Sequence, residues 1–262
     1  MLSYHNRHNS CDCLGCIIYD RATVNNQYSI DEKNLKIPIF LYHEIVDDAS
    51  KVEFDYMQTT TEVFENQIIG LQKSGYRFIS YEDLKNYSEG QIKLNKKSCI
   101  LTFDDGCQSI YENVYPFAKE HNIPFTMFVI TDKMGQEGRI TWDEAKEMQD
   151  SGIVTIASHS KDHPEFTSLS TEEAVKNVNE SYDIIEENLG NQTTKIFTYP
   201  YGLNKEEQRN ALKELGYMQN LTDNKINKTK DLDLSGLHRC YPLSDSIFKM
   251  TLKIFYRSIR YN

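Results

Sequence analysis

The sequence predicts an α/β fold, a distorted (β/α) barrel of seven or eight strands, on three observations. Short apolar or β-branched runs alternate with longer stretches of helical period, the pattern left by βα units on a parallel sheet. Eight such runs can be marked out, enough for the sheet to close on itself. The chain has 262 residues, near the roughly 250 typical of such barrels, and no stretch of linker composition divides it in two.

Residues 1–36 are polar, rich in Asn and Asp, and carry no sustained period, so they read as an extension outside a domain spanning 37–262. The first residues lack the apolar core of an export signal, and no run approaches the ~18 apolar residues of a membrane span. A location inside the cell is therefore the default expectation. Cys11, Cys13 and Cys16 crowd the extension. With His5 or His8 as a fourth ligand they form a possible metal site; a loose, unliganded segment is the alternative.

The strand candidates then follow in order: IPIFLY (37–42), YRFIS (76–80), SCILTF (98–103), FTMFVI (125–130), IVTIAS (153–158), KIFTY (195–199), YMQNLT (217–222) and HRCYPL (238–243). Between the first two, TEVFENQIIGLQKSG places Phe64, Ile68 and Leu71 on one helical face, with Thr61 as cap and Gly75 as stop. Similar periods predict helices at 109–121, 141–151, 171–189, 204–215 and 245–258. Lys and Arg total 29 against 39 Asp and Glu, a formal charge of −10, which disfavours a nucleic-acid partner and suits a neutral substrate.

Several strand candidates end in residues able to do chemistry. The first ends in His43, the third in Asp104-Asp105-Gly106, the fifth in His159 with His163 beyond, and the sixth runs into Pro200-Tyr201-Gly202. In a parallel barrel all strand C-termini open on one face, so these groups would converge. Adjacent carboxylates at a strand end diverge, leaving one for a cation and its neighbour for proton transfer; a simple Asp-Gly turn is the alternative. For His159 and His163, Pro164 disfavours helical dihedrals at its predecessor, so a loop holding both imidazoles is expected. One carboxylate and two imidazoles leave metal positions open for water and substrate.

TFDDG at 102–106, HSKDHP at 159–164 and YPYG at 199–202, in this order, resemble the motifs of the polysaccharide deacetylases, the NodB-homology group or carbohydrate esterase family 4. The similarity covers about residues 37–243 and extends to Leu41-Tyr42-His43, to Phe64, Gln67, Leu71 and Gly75-Tyr76, and to Trp142 and Met148 before Ser151-Gly152. Trp142, ahead of a helix, reads as packing.

The resemblance implies that Asp104 is the general base and that Asp105, His159 and His163 ligate a divalent transition metal, zinc by default, with cobalt, nickel or iron also admissible. It implies that Tyr201 lends its N–H to the oxyanion and that Tyr199 and Pro200 meet substrate. The family's third motif usually opens on arginine, whose position is taken here by Thr198, so the ion pair that orients the base is expected to be missing. The family's acid comes from an L-x-H motif. Leu41-Tyr42-His43 satisfies it and Gly236-Leu237-His238 misses it by one residue, so His43 is expected over His238, as in the permuted exopolysaccharide (poly-N-acetylglucosamine) deacetylase subgroup that this chain resembles most. The implied activity is removal of N-acetyl groups from an N-acetylated polysaccharide or oligosaccharide. The rivals are an O-acetyl esterase on acetylated glycans and a degenerate glycan-binding protein. Oligomeric state is not legible.

Overall fold

The computed structural model describes residues 34–52, 57–94, 97–242 and 246–260. The cluster of Cys11, Cys13 and Cys16, and with it His5 and His8, lies outside the described residues.

Seven parallel strands form the barrel: β1 (Ile39–Tyr42), β2 (Ser98–Phe103), β3 (Phe125–Val129), β4 (Val154–Ser158), β5 (Ile196–Thr198), β6 (Met218–Thr222) and β7 (Leu237–Arg239). They neighbour one another in chain order. The two ends meet just past β7, where Leu41 N–H donates to the Cys240 carbonyl at 3.0 Å and Cys240 N–H donates to the Ile39 carbonyl at 2.9 Å. YRFIS, expected among the strands, contributes only a two-residue pairing of Arg77–Phe78 with Ser98–Cys99, off the barrel path.

Side chains alternate between the two faces of each strand, and the alternation fixes what points into the barrel. The interior cluster takes one residue from every strand: Ile39, Ile100, Phe128, Ala157, Ile196, Met218 and Leu237. Counting on by twos from these positions reaches His43, Thr102, Asp104, His159, Thr198, Asn220 and Arg239. The intervening positions face outward onto the helices. Cys99, Leu101 and Phe103 join one outer cluster, and Phe197 and Tyr199 join another.

The helices are α1 (Thr61–Lys73), α2 (Tyr81–Ser88), α3 (Tyr115–Glu120), α4 (Trp142–Asp150), α5 (Thr171–Leu189), α6 (Glu206–Glu214) and α7 (Ile247–Arg260). Phe64, Ile68 and Leu71 are buried along α1 as their period requires, but the cap is Thr60, whose hydroxyl accepts from Val63 N–H. A π-helical turn, Ile110–Val114, precedes α3 where one helix was expected. The helix α2 has no counterpart in the sequence reading, although Ser80 and Asp83 form a reciprocal capping box at its start. It sends Tyr81 into the interior cluster, hydrogen-bonded to Asn220. Trp142 packs against the outer cluster. The domain's packing also starts before residue 37: Leu35 is buried, and Lys36–Ile37 pairs with Asn227–Lys228. No helix among the described residues is long and apolar enough to cross a membrane.

Candidate active site

At the C-terminal end of the barrel the chain leaves β2, β4 and β5 in tight turns. Six non-glycine residues among those described have positive φ, and Asp105 (72°), Ser160 (72°), His163 (63°) and Tyr201 (58°) are four of them. Such backbone costs on the order of 1–3 kcal/mol per residue and persists where the surroundings enforce it. At Asp105 it turns an outward parity back toward the barrel mouth. Gly106 completes this turn at φ +69°, where a Cβ would meet the Val129 side chain at 3.3 Å. Arg139 braces it, donating to the Asp105 carbonyl at 3.1 Å.

Asp105, His159 and His163 converge, with one ligand atom from each lying within 4.8 Å of the others. Asp105 Oδ1 is 3.5 Å from His159 Nε2 and 3.7 Å from His163 Nε2. Tetrahedral ligands about 2.0–2.1 Å from a zinc ion stand roughly 3.3 Å apart, so the carboxylate and each imidazole need close only slightly. Asp105 Oδ1 is buried and accepts no hydrogen bond among the described residues, the state of an oxygen suited to a cation. His159 Nδ1 lies 3.0 Å from the Thr198 carbonyl, and that contact, with Nδ1 as donor, leaves Nε2 free as a ligand. Burial and the neighbouring His159 bring His163 down to about 4, so its ring is neutral and able to coordinate at neutral pH.

Beside this set, Asp104 is buried and in the grip of Arg239. The guanidinium donates through Nη1 to Oδ1 at 2.6 Å and through Nη2 to Oδ2 at 2.8 Å. Burial alone would raise the Asp104 carboxyl; the charge of Arg239, then His159, together with the charged hydrogen bonds from Arg239, outweigh it and hold the group at about 2. Asp104 is thus an ionised acceptor within 3.9 Å of His159 Nε2. The expectation that the base would lack an arginine partner is overturned. Thr198 does not supply one, but Arg239 does, from β7 on the far side of the barrel seam. Its signal in the sequence was parity: two residues after the inward Leu237, it must face inward too.

His43 stands at the end of β1, buried, with Nδ1 lacking a partner among the described residues and the ring stacked 6.2 Å from that of Tyr241. Burial lowers its pKa, while Asp104 and Asp105 pull it upward. His238, the weaker candidate for the acid, has outward parity; its Nδ1 lies 2.8 Å from Asp223 Oδ2, on a separate groove. Tyr201 lies at the mouth, 65% exposed, its ring 4.6 Å from that of His163. Tyr199 is corrected from a substrate contact to a packing residue. Its side chain faces the outer cluster and its hydroxyl donates to Gln219 at 2.6 Å. Pro200, also expected at the substrate, is buried and starts the turn that carries Tyr201.

A parallel barrel whose strand ends gather an Asp-His-His cluster and an arginine-bound carboxylate belongs to the metal-assisted hydrolases in its chemistry. The sequence model of the family Polysaccharide deacetylase matches residues 91–219. YxkH of Bacillus subtilis, named as a polysaccharide deacetylase, is 29% identical over 208 residues, covering 79% of this chain and 72% of that protein. The poly-β-1,6-N-acetyl-D-glucosamine N-deacetylase of Staphylococcus aureus is 27% identical over 205 residues, 73% of this chain and 70% of its own length. The deacetylase PplD of Streptococcus pyogenes, solved with acetate, superposes with a TM-score of 0.75 at 25% identity, over 84% of this chain and 98% of that one. IcaB of Ammonifex degensii shares the fold, with a TM-score of 0.72 at 24% identity over 84% and 97% of the two chains. Over residues 91–219 the chain matches the polysaccharide deacetylase family, and with these relatives it is a carbohydrate-acting hydrolase of that kind.

Proposed function

We propose that the protein hydrolyses the acetamide of N-acetylglucosamine units in a β-linked polysaccharide, releasing acetate and leaving a free amine. The observation that carries this reading is the pairing of two unlike carboxylates: Asp105 offers an unpartnered oxygen to two imidazoles, while Asp104 is held ionised by Arg239. The name of the staphylococcal relative supports poly-β-1,6-N-acetylglucosamine as the substrate class.

Asp105, His159 and His163 would hold the metal, zinc in the first instance, which when bound supplies Lewis-acid polarisation of the carbonyl and a water of lowered pKa. Asp104 then takes the proton from the attacking water. Its two bonds to Arg239 fix the carboxylate's orientation, so proton removal needs no rearrangement of the base. The backbone N–H of Tyr201 is assigned to the developing oxyanion, and the Tyr201 ring to the sugar at the mouth. His43, at the inner edge of the same end, delivers a proton to the departing amine. The scissile C–N bond breaks, acetate leaves, and the amine keeps the proton.

The test is acetate release from poly-β-1,6-N-acetylglucosamine, chitooligosaccharide and acetylxylan, with Asp104→Asn alongside. Release from the first substrate, abolished in the variant, is expected. Preferential release from acetylxylan would favour an O-esterase, and no release by metal-loaded protein on any glycan would favour a binding protein.

A further inference from the structure

The last helix carries more apolar surface than the fold uses. One face of α7 is committed to the barrel's outer layer: Met250 and Ile254 are buried in the outer cluster, and Ile247 packs against it. The fit there is close, since a Cβ on Gly70 of α1 would meet Ile247 Cγ1 at 2.7 Å. The opposite face shows Phe248, Leu252, Phe255 and Ile259 at i, i+4, i+7 and i+11, one continuous stripe about 16 Å long. Phe248 is 72% exposed, Phe255 56% and Ile259 51%, and Tyr256, 65% exposed, widens the stripe.

Charge identifies what this stripe meets. Lys249 and Lys253 stand at i and i+4 along one border of it, Arg257 a turn further on is turned to Cys240, and Lys36 reaches over the Phe255 ring at 5.7 Å. The helix contains no carboxylate, in a chain whose formal charge is −10. Aromatic and aliphatic residues beside a cationic row, with no acid among them, are the composition of a helix lying in a bilayer interface. Two copies of α7 face to face would bring like charges together with nothing on either helix to answer them, which disfavours a dimer through this surface.

We infer that α7 docks the protein onto an anionic phospholipid bilayer, its apolar stripe entering the interface and its cationic border meeting the headgroups. The helix runs along the barrel flank, from Ile247 beside Gly70 to Phe255 beside Lys36 near the start of β1. Docking on that flank leaves the site at the strand ends clear of the bilayer surface. This inference does not depend on which glycan is cleaved.

The experiment is flotation of the full chain with vesicles of phosphatidylcholine alone or mixed with phosphatidylglycerol. Binding to the mixed vesicles is expected, weakened by salt. The triple variant Phe248→Ser, Leu252→Ser, Phe255→Ser should partition at least about tenfold less, at unchanged melting temperature. A second variant, Lys249→Glu, keeps the stripe and should lose the preference for phosphatidylglycerol. No flotation of the wild type, or equal flotation of wild type and triple variant, overturns the inference. So does sedimentation showing a wild-type dimer that the triple variant converts to monomer, because the occupant would then be a second copy.

Discussion

Replacing Arg239 with methionine removes the partner of Asp104 and leaves a carboxylate in a site where both side chains are almost inaccessible, 1% and 3% exposed. Truncating one member of a buried pair costs about 3–5 kcal/mol, because the remaining charge has neither water nor counter-ion. The carboxyl escapes part of that cost by binding a proton. Burial is the largest influence on Asp104 and acts upward, so without the guanidinium its pKa should climb from about 2 past the ordinary 3.8. A protonated Asp104 cannot accept a proton from water. The assay is kcat/KM for acetate release against pH, with metal content measured on the same samples. The acid limb of the methionine variant should move up by more than about two pH units with metal content unchanged; a limb still well below neutrality leaves Asp104 mostly ionised at pH 7, so a fall in activity there reports lost orientation of the carboxylate. Arg239→Lys keeps the charge without the two-pronged geometry, so its acid limb should stay low while kcat falls. An acid limb in Arg239→Met that overlays the wild type would refute the argument that Arg239 keeps Asp104 ionised.

Asp105→Asn and His159→Ala should each abolish metal retention, read by elemental analysis, and with it acetate release. Chelation of the wild type should do the same, reversibly. Tyr201 sits at φ 58°, so Tyr201→Gly retains the N–H without strain and should keep kcat within a few-fold while raising KM; Tyr201→Pro, lacking the N–H and unable to adopt that φ, should be inactive. The folded-state pKa of Asp104 lies below its ordinary 3.8, so its contribution to stability is complete above that value and is lost as pH falls through about 2. Urea unfolding of the metal-free protein across that window should lose about 2 kcal/mol to this group, and Arg239→Met should lack the step. His43→Gln should lower kcat by at least about tenfold while His238→Gln, on the opposite face of its strand, leaves it unchanged.

Much of the barrel can be read locally because its elements are local events. A buried parallel strand is an uninterrupted apolar run such as SCILTF, and an amphipathic helix repeats its period, as at Thr171–Leu189. The convergence of Asp105, His159 and His163 was legible for a related reason: a parallel barrel puts every strand's C-terminus at the same end, so a motif's position in its strand is also its position in space. Tyr199 shows where that reasoning stops. It lies in the same motif as Tyr201, yet one step of the pleat sends its side chain to the helices, and only the register of β5 reveals this. The helix α2 escaped because eight residues give too short a period to stand out, and its burial depends on the barrel interior it enters.

The order of elements, the barrel class and the acid and imidazole groups at the strand ends are written in the chain itself, since periodicity and turn chemistry act over a few neighbouring residues. The partnership of Asp104 with Arg239, separated by 135 positions, is of another kind. It exists because the barrel closes between β1 and the residue after β7, and because alternation along β7 aims Arg239 inward and His238 outward. Seam and pleat parity are properties of the assembled sheet, so the charge that keeps Asp104 ionised was decided only when the chain folded.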